Sequence, residues 1–206
     1  MKQFAALLLV LALPLQAVAG DVAVVLRNGQ GKPIADAVVT IAAPHSGPIR
    51  FAWPYRMAQQ NLQFDPFVLV VPVGADVDFP NLDTVRHHVY SFSPAKTFEL
   101  KLYGRDETRV VRFDKPGVVP LGCNIHDNMV AFIVVVDTPY AAKTDAAGQA
   151  VIHGVPAGPQ PLRVWHPYLR APGNAITLTV AVPRDGVVRQ AVAGELRAPL
   201  EPRRMY

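Results

Sequence analysis

The sequence predicts an all-β protein, on three observations. Short apolar runs are separated along the whole chain by 20 prolines and 14 glycines, the punctuation of strands and turns. No stretch carries an amphipathic helical period of useful length. Half of the 206 residues are hydrophobic and only 17% are charged, too apolar for a disordered chain and ample for a buried core in one large or two small domains. Sandwich packing is the expected architecture.

Residues 22–27 (VAVVLR) and 37–42 (AVVTIA) read as two strands joined by a turn from Asn28 to Pro33. Residues 44–56 are irregular, with His45, Gly47, Pro48 and Pro54. A second series of strands is predicted at 67–73, 75–79, 86–92, 98–102, 108–113, 118–121 and 130–136, each bounded by Pro, Gly, Asn or Asp. Asp137-Thr138-Pro139-Tyr140 closes that series, and Thr144 to Gly148 is a turn signal. Further strands are expected at 149–152, 161–166, 176–182 and 187–193.

Residues 1–19 read as a signal peptide. Lys2 supplies the positive end, Phe4 to Leu13 the apolar run, and Ala17-Val18-Ala19 the small-x-small cleavage pattern before Gly20. The apolar run is short for a bilayer, which needs about 20 residues, so a mature form without a membrane span is expected, exported to a bacterial periplasm. The net charge is +4, with no basic stripe interleaved with aromatics, which argues against a nucleic-acid partner. Exported domains normally use cysteines in pairs, but Cys123 is the only one. A lone thiol in an oxidising compartment is a liability unless it is buried or bound.

Its neighbours point to binding. In Gly122-Cys123-Asn124-Ile125-His126-Asp127-Asn128-Met129, a thiol, an imidazole and a thioether lie within seven residues. Two histidines and a cysteine with a weak axial methionine make the blue-copper donor set. A tight inter-strand loop turns such side chains onto one ion and holds them nearly fixed. The second histidine must come from elsewhere, and the stretch Asn81 to Val89 offers His87 and His88. Adjacent strand residues face opposite ways, so one of the two reaches the ion. Val85, His87 and Val89 share one face, while Tyr90 and Phe92 share that of His88, which leaves both open.

These residues resemble the cupredoxins, the type 1 blue copper proteins. The spacing Cys123-x2-His126-x2-Met129 is similar to that of the amicyanins. The block from Phe64-Asp65-Pro66 through Phe79-Pro80-Asn81-Leu82-Asp83 to Asp137-Thr138-Pro139-Tyr140 resembles bacterial methylamine-utilisation-type cupredoxins. The resemblance implies a Greek-key cupredoxin sandwich over residues 57–140 with one type 1 copper held by His87, Cys123, His126 and Met129. His88 then takes the place of an asparagine that braces the cysteine loop. The flanks, with Gly31 to Ala37, Gly154 to Gly158 and Val164-Trp165-His166-Pro167, resemble the two halves of a carboxypeptidase-regulatory or transthyretin-like sandwich. Residues 20–55 and 141–206 would form that second small β-sandwich, with the cupredoxin inserted.

Other uses of these residues fit less well. Structural zinc prefers several cysteines and rarely takes methionine. A cysteine nucleophile with a histidine base is the main enzymatic alternative, but an exported, unprotected thiolate oxidises. His45, His153 and His166 are expected outside the metal site, with His166 structural. Trp53 and Trp165 are expected in the core or at an interface. Asp83 and Asp127 are expected to hold the ligand loops through backbone hydrogen bonds. The function expected is non-enzymatic: a one-electron carrier, with His126 as the port toward a c-type cytochrome or a dehydrogenase. The alternative is a copper-binding or delivery module.

Overall fold

A computed structural model describes residues 18–198. All but the last two residues of the expected signal segment, and the basic pair Arg203-Arg204, lie outside the described residues. Among the described residues, sixteen strands and one short 3-10 turn at Pro172–Asn174 make up the regular structure, and the fold is all-β. Among the described residues no helix is long and apolar enough to cross a membrane.

Strands β1 (Ala19–Arg27) and β2 (Val38–Ile41) come first. A short hairpin follows, β3 (Ala58–Gln60) and β4 (Gln63–Asp65). Next come β5 (Val68–Pro72), β6 (Ala75–Pro80), β7 (His87–Phe92), β8 (Thr97–Tyr103), β9 (Thr108–Phe113), β10 (Gly117–Cys123) and β11 (Val130–Val136). The chain ends its strands with β12 (Ala141–Lys143), β13 (Gln149–Pro156), β14 (Gly158–Trp165), β15 (Ala175–Val182) and β16 (Val187–Ala193).

The central strands form a five-stranded sheet in the order β5-β11-β10-β7-β8, and β6 pairs with β9. Side chains alternate across each strand, so Val77 and Phe79 of β6, Val111 and Phe113 of β9, and Ala131, Ile133 and Val135 of β11 meet in one buried core. On β10 the inward series is Val119, Leu121, Cys123, and all three belong to that core. The cysteine is thus the last inward residue of a strand; the sequence pattern ended this strand at 121 and left Cys123 in the loop. Two short segments had no signal of their own, the β3–β4 hairpin and β12, each strand only three residues long.

The other face of β5 and β11 is buried too. Val68, Val70, Val134 and Val136 pack against Val38, Ala141 and Trp165, which explains why β5 is apolar and buried at every position. Trp53 closes this layer: its indole N–H donates to the Val70 carbonyl at 2.8 Å, and its ring stacks on Phe51 with centroids 4.5 Å apart. Trp165 meets Phe132 edge-on at 5.8 Å. The remaining strands form two sheets, β13-β1-β16 and β12-β2-β14-β15. Between them lies a core that includes Val22, Val24, Ile41, Ile152, Leu162 and Val180.

His166 is structural. It is 5% exposed, and its Nδ1 accepts the Tyr168 amide N–H at 3.2 Å. Burial pushes its pKa down to about 4, against a smaller raising effect of Asp36. The unfolded chain therefore binds this proton first as the pH falls. Stability from the neutral ring is complete above about pH 6.5 and is lost as the pH drops through about 4, a total of about 3 kcal/mol. His166→Gln is expected to flatten that part of the profile; thermal melts of both proteins between pH 7 and 4 measure it.

Candidate metal centre

The β7 and β10 strands place two of the donors. They pair antiparallel, with Cys123 opposite Val89 and Gly122 opposite Tyr90. Along β7, His87, Val89 and Ser91 face inward and are buried, while His88, Tyr90 and Phe92 face out. This alternation places the two histidines differently: His87 Nδ1 lies 3.9 Å from Cys123 Sγ, whereas His88 Nε2 turns to Glu99 Oε1 at 2.8 Å. The third donor comes from the loop after β10, where His126 Nδ1 lies 3.5 Å from the same sulfur. The ligand atoms of His87, Cys123 and His126 all fall within 4.8 Å of one another.

Those spacings fit one ion. With metal–sulfur and metal–nitrogen bonds of about 2.3 and 2.0 Å, donors at 120° to each other stand roughly 3.7 Å apart, between the two sulfur–nitrogen distances found. Met129 is 1% exposed and shares the core cluster with Cys123. Its backbone N–H donates to the His126 carbonyl at 3.0 Å, closing the loop into a tight turn. His87 and Cys123 are buried, and His126 is half-buried between exposed Ile125 and Asp127. The imidazoles of His87 and His126 stand 5.0 Å apart, tilted by 59°.

The expected bracing residues are only partly as anticipated. The His88 side chain does not brace the cysteine loop, because its strand position turns it outward. The backbone carbonyl of His88 does so instead, accepting the Asn124 N–H at 3.0 Å. Asp127 is exposed, and its carboxylate has no hydrogen bond among the described residues, so it does not hold the loop. Asp83 does more than expected. It accepts the amide N–H groups of Asn61 at 2.7 Å and Leu62 at 3.1 Å, and its Oδ2 lies 2.8 Å from His87 Nε2. Burial would raise the Asp83 carboxyl, but the Leu62, His87 and Asn61 hydrogen bonds together outweigh it and hold the pKa below the ordinary value. Burial, together with the neighbouring His126, lowers the pKa of His87 against the raising effect of Asp83, which favours the neutral ring that a metal needs.

Behind the site lies a satisfied polar cage that the strand pattern did not reveal. Buried Asn81 donates to the Val85 carbonyl at 2.8 Å and the Tyr103 carbonyl at 3.1 Å, and accepts the Asp83 N–H at 2.9 Å. The Tyr103 hydroxyl donates to Gln59 Oε1, and Gln59 Nε2 donates to the Met57 carbonyl at 2.9 Å. The one signal for it was Asn81, which follows Phe79 and Pro80 and precedes Leu82; Gln59, followed by Gln60 and Asn61, gave none. The other histidines lie elsewhere. His45 contacts the Asp137 carbonyl at 3.1 Å, and His153 pairs with Asp21 at 2.8 Å.

No protein-family model matches the chain, and no curated protein is detectably similar to it. Solved structures with similar folds include the copper-containing nitrite reductase from Thermus scotoductus SA-01. It is 25% identical over 56% of this chain, with a TM-score of 0.39, and the match spans 28% of that enzyme's length. A reduced point variant of amicyanin is 20% identical over 48% of this chain and 98% of its own, with a TM-score of 0.37. An oxidised variant of amicyanin is 19% identical over the same shares, also with a TM-score of 0.37.

Proposed function

We propose that this protein is a one-electron carrier with a single type 1 copper. The observation that carries this reading is the triangle of His87 Nδ1, Cys123 Sγ and His126 Nδ1 at the end of a buried core. The donor set of two imidazoles and a thiolate, with a buried thioether alongside, is that of blue copper. Copper bound there would supply a one-electron couple whose potential responds to the thioether donor and to the hydrophobic shell around the sulfur.

The chain's own residues supply the rest. Strand pairing fixes Cys123 against Val89, and Asp83 fixes the His87 ring, so two of the donors are held by the protein before any metal binds. The apolar core around Cys123 excludes water and oxidants from the thiolate. His126 alone reaches toward the surface, beside exposed Ile125, and so offers the route for electrons to a partner. We read the block from 57 to 140 as the copper unit, inserted between the flanking strands, and the expected partner as a c-type cytochrome or a dehydrogenase in the periplasm.

Electron self-exchange tests this reading. The carrier predicts fast self-exchange by NMR line broadening in a mixture of oxidised and reduced protein, and reversible voltammetry. A delivery module is the second reading, favoured by the exposure of the loop residues Asn124, Ile125, Asp127 and Asn128. It predicts instead rapid loss of copper to a competing chelator and sluggish self-exchange. Met129→Leu is expected to raise the potential, because a weak donor to the oxidised ion is removed. As a volume-conserving change it should alter stability by less than about 1.5 kcal/mol; voltammetry and thermal melts read the two effects separately.

A further inference from the structure

The β3–β4 hairpin turns on two residues, Asn61 and Leu62, at φ +56° and +58°. Two consecutive left-handed residues define the tight turn that suits a two-residue hairpin, and glycine is strongly favoured at its second position. Leucine stands there instead, 49% exposed. The tip is held from outside: Asp83 Oδ1 accepts the Asn61 N–H, and Oδ2 accepts the Leu62 N–H. The same Oδ2 accepts from His87 Nε2 at 2.8 Å. One carboxylate thus ties an exposed turn to the first ligand of the candidate metal centre.

We propose that Asp83 is a positioning residue for the metal centre, and that the Asn61–Leu62 tip sets the quality of that centre through it. The proposal rests on the copper reading above. A carboxylate only accepts hydrogen bonds, so it places the ring proton of His87 on Nε2 and leaves the Nδ1 lone pair directed at the space shared with Cys123 and His126. Its negative charge, one hydrogen bond from the ligand ring, favours Cu(II) over Cu(I). The tip amides hold the carboxylate at the angle this requires, and the Asn81 side chain, accepting the Asp83 N–H, fixes it from behind.

Three variants test this. Asp83→Asn can offer only one oxygen, while three N–H groups point at the side chain. With its amide facing His87 it donates to Nε2, and the ring proton moves to Nδ1, where it blocks the ligand position. Cu(II) affinity is expected to fall roughly 10–100-fold. Each tenfold loss of Cu(II) over Cu(I) raises the potential by about 59 mV. Leu62→Pro removes one donor to Asp83 and cannot adopt a positive φ, yet touches no ligand. It is expected to weaken Cu(II) binding in the same direction. Leu62→Gly keeps the N–H and accepts the turn, and should bind copper as the wild type does.

The copper-free proteins provide a separate readout. Nitrogen-15 NMR of His87 should show the Nε2–H tautomer in the wild type and in Leu62→Gly, and its loss in Asp83→Asn. Wild-type copper affinity, potential and His87 tautomer in a folded Asp83→Asn protein would overturn the proposal for Asp83. A folded Leu62→Pro protein indistinguishable from Leu62→Gly would overturn the role of the tip, and if Leu62→Pro does not fold, an unchanged His87 signal in Asn61→Pro does the same. A wild-type protein that takes up no copper would defeat the carrier reading, while the tautomer measurement would still decide whether Asp83 positions His87.

Discussion

Replacing Cys123 with serine is expected to abolish tight copper binding while the protein remains folded. Cys123 is 4% exposed, and its sulfur lies 3.5 and 3.9 Å from the two imidazoles. Serine is close in size, so the core around Leu121 and Ile133 keeps its packing, and the new hydroxyl can hydrogen-bond to either imidazole. What is lost is the soft sulfur donor. The fall in affinity should exceed the roughly 10–100-fold that follows loss of an outer hydrogen-bonding partner. Competition with a copper chelator measures it, alongside thermal melts of the metal-free proteins. Retention of wild-type affinity by Cys123→Ser would mean that copper, if bound, sits somewhere else.

Gly148→Ala should give the largest loss of stability from a single methyl group. Gly148 has φ +72°, and a Cβ there would lie 2.4 Å from the Leu26 carbonyl oxygen and 3.1 Å from the Ile34 nitrogen. These two backbone atoms are hydrogen-bonded to each other, Ile34 N–H donating to the Leu26 carbonyl at 3.1 Å, and the Leu26 N–H donates to the Gly148 carbonyl at 2.8 Å. Neither can yield without breaking the link between β1 and the turn before β13. The strained backbone and the clash together are expected to cost about 3 to 5 kcal/mol, measured by denaturant unfolding. His87 and Cys123 lie on β7 and β10 and His126 in the loop after β10, all away from this turn, so the folded fraction should keep its copper spectrum. A loss below about 1 kcal/mol would show that the turn relaxes freely.

The strands were legible where their own residues alternate or run apolar. Val119 and Leu121 on β10, and Ala131, Ile133 and Val135 on β11, announce their inward face. β3, β4 and β12 were not legible, because three residues are too few to show a period; they exist through their partners, such as Ala142 opposite Val39. The hairpin tip was hidden as well, since Asn61-Leu62 lacks the glycine that marks such turns.

At the site, Cys123, His126 and Met129 were legible as one loop, and His87 followed once the strand phase was known. The choice between His87 and His88 depended on which face of β7 meets the core, and the alternating apolar residues Val85, Val89, Tyr90 and Phe92 sit on both faces. The structure puts Phe92 at 77% exposure and Val89 at 0%, a difference that hydrophobicity alone does not encode. The reach of Asp83 across to residues 61 and 62 was invisible for a different reason: it joins segments more than 20 residues apart through backbone groups that every residue carries.

The most direct test of the central claim is a titration of the protein with Cu(II), followed by visible absorption and EPR. The geometry of His87, Cys123 and His126 predicts an intense thiolate-to-copper band that saturates at one equivalent, with the EPR signature of a single copper–thiolate site. A protein that stays colourless and retains no copper would contradict it, and would leave Cys123 as a buried thiol in the core of a β-sandwich.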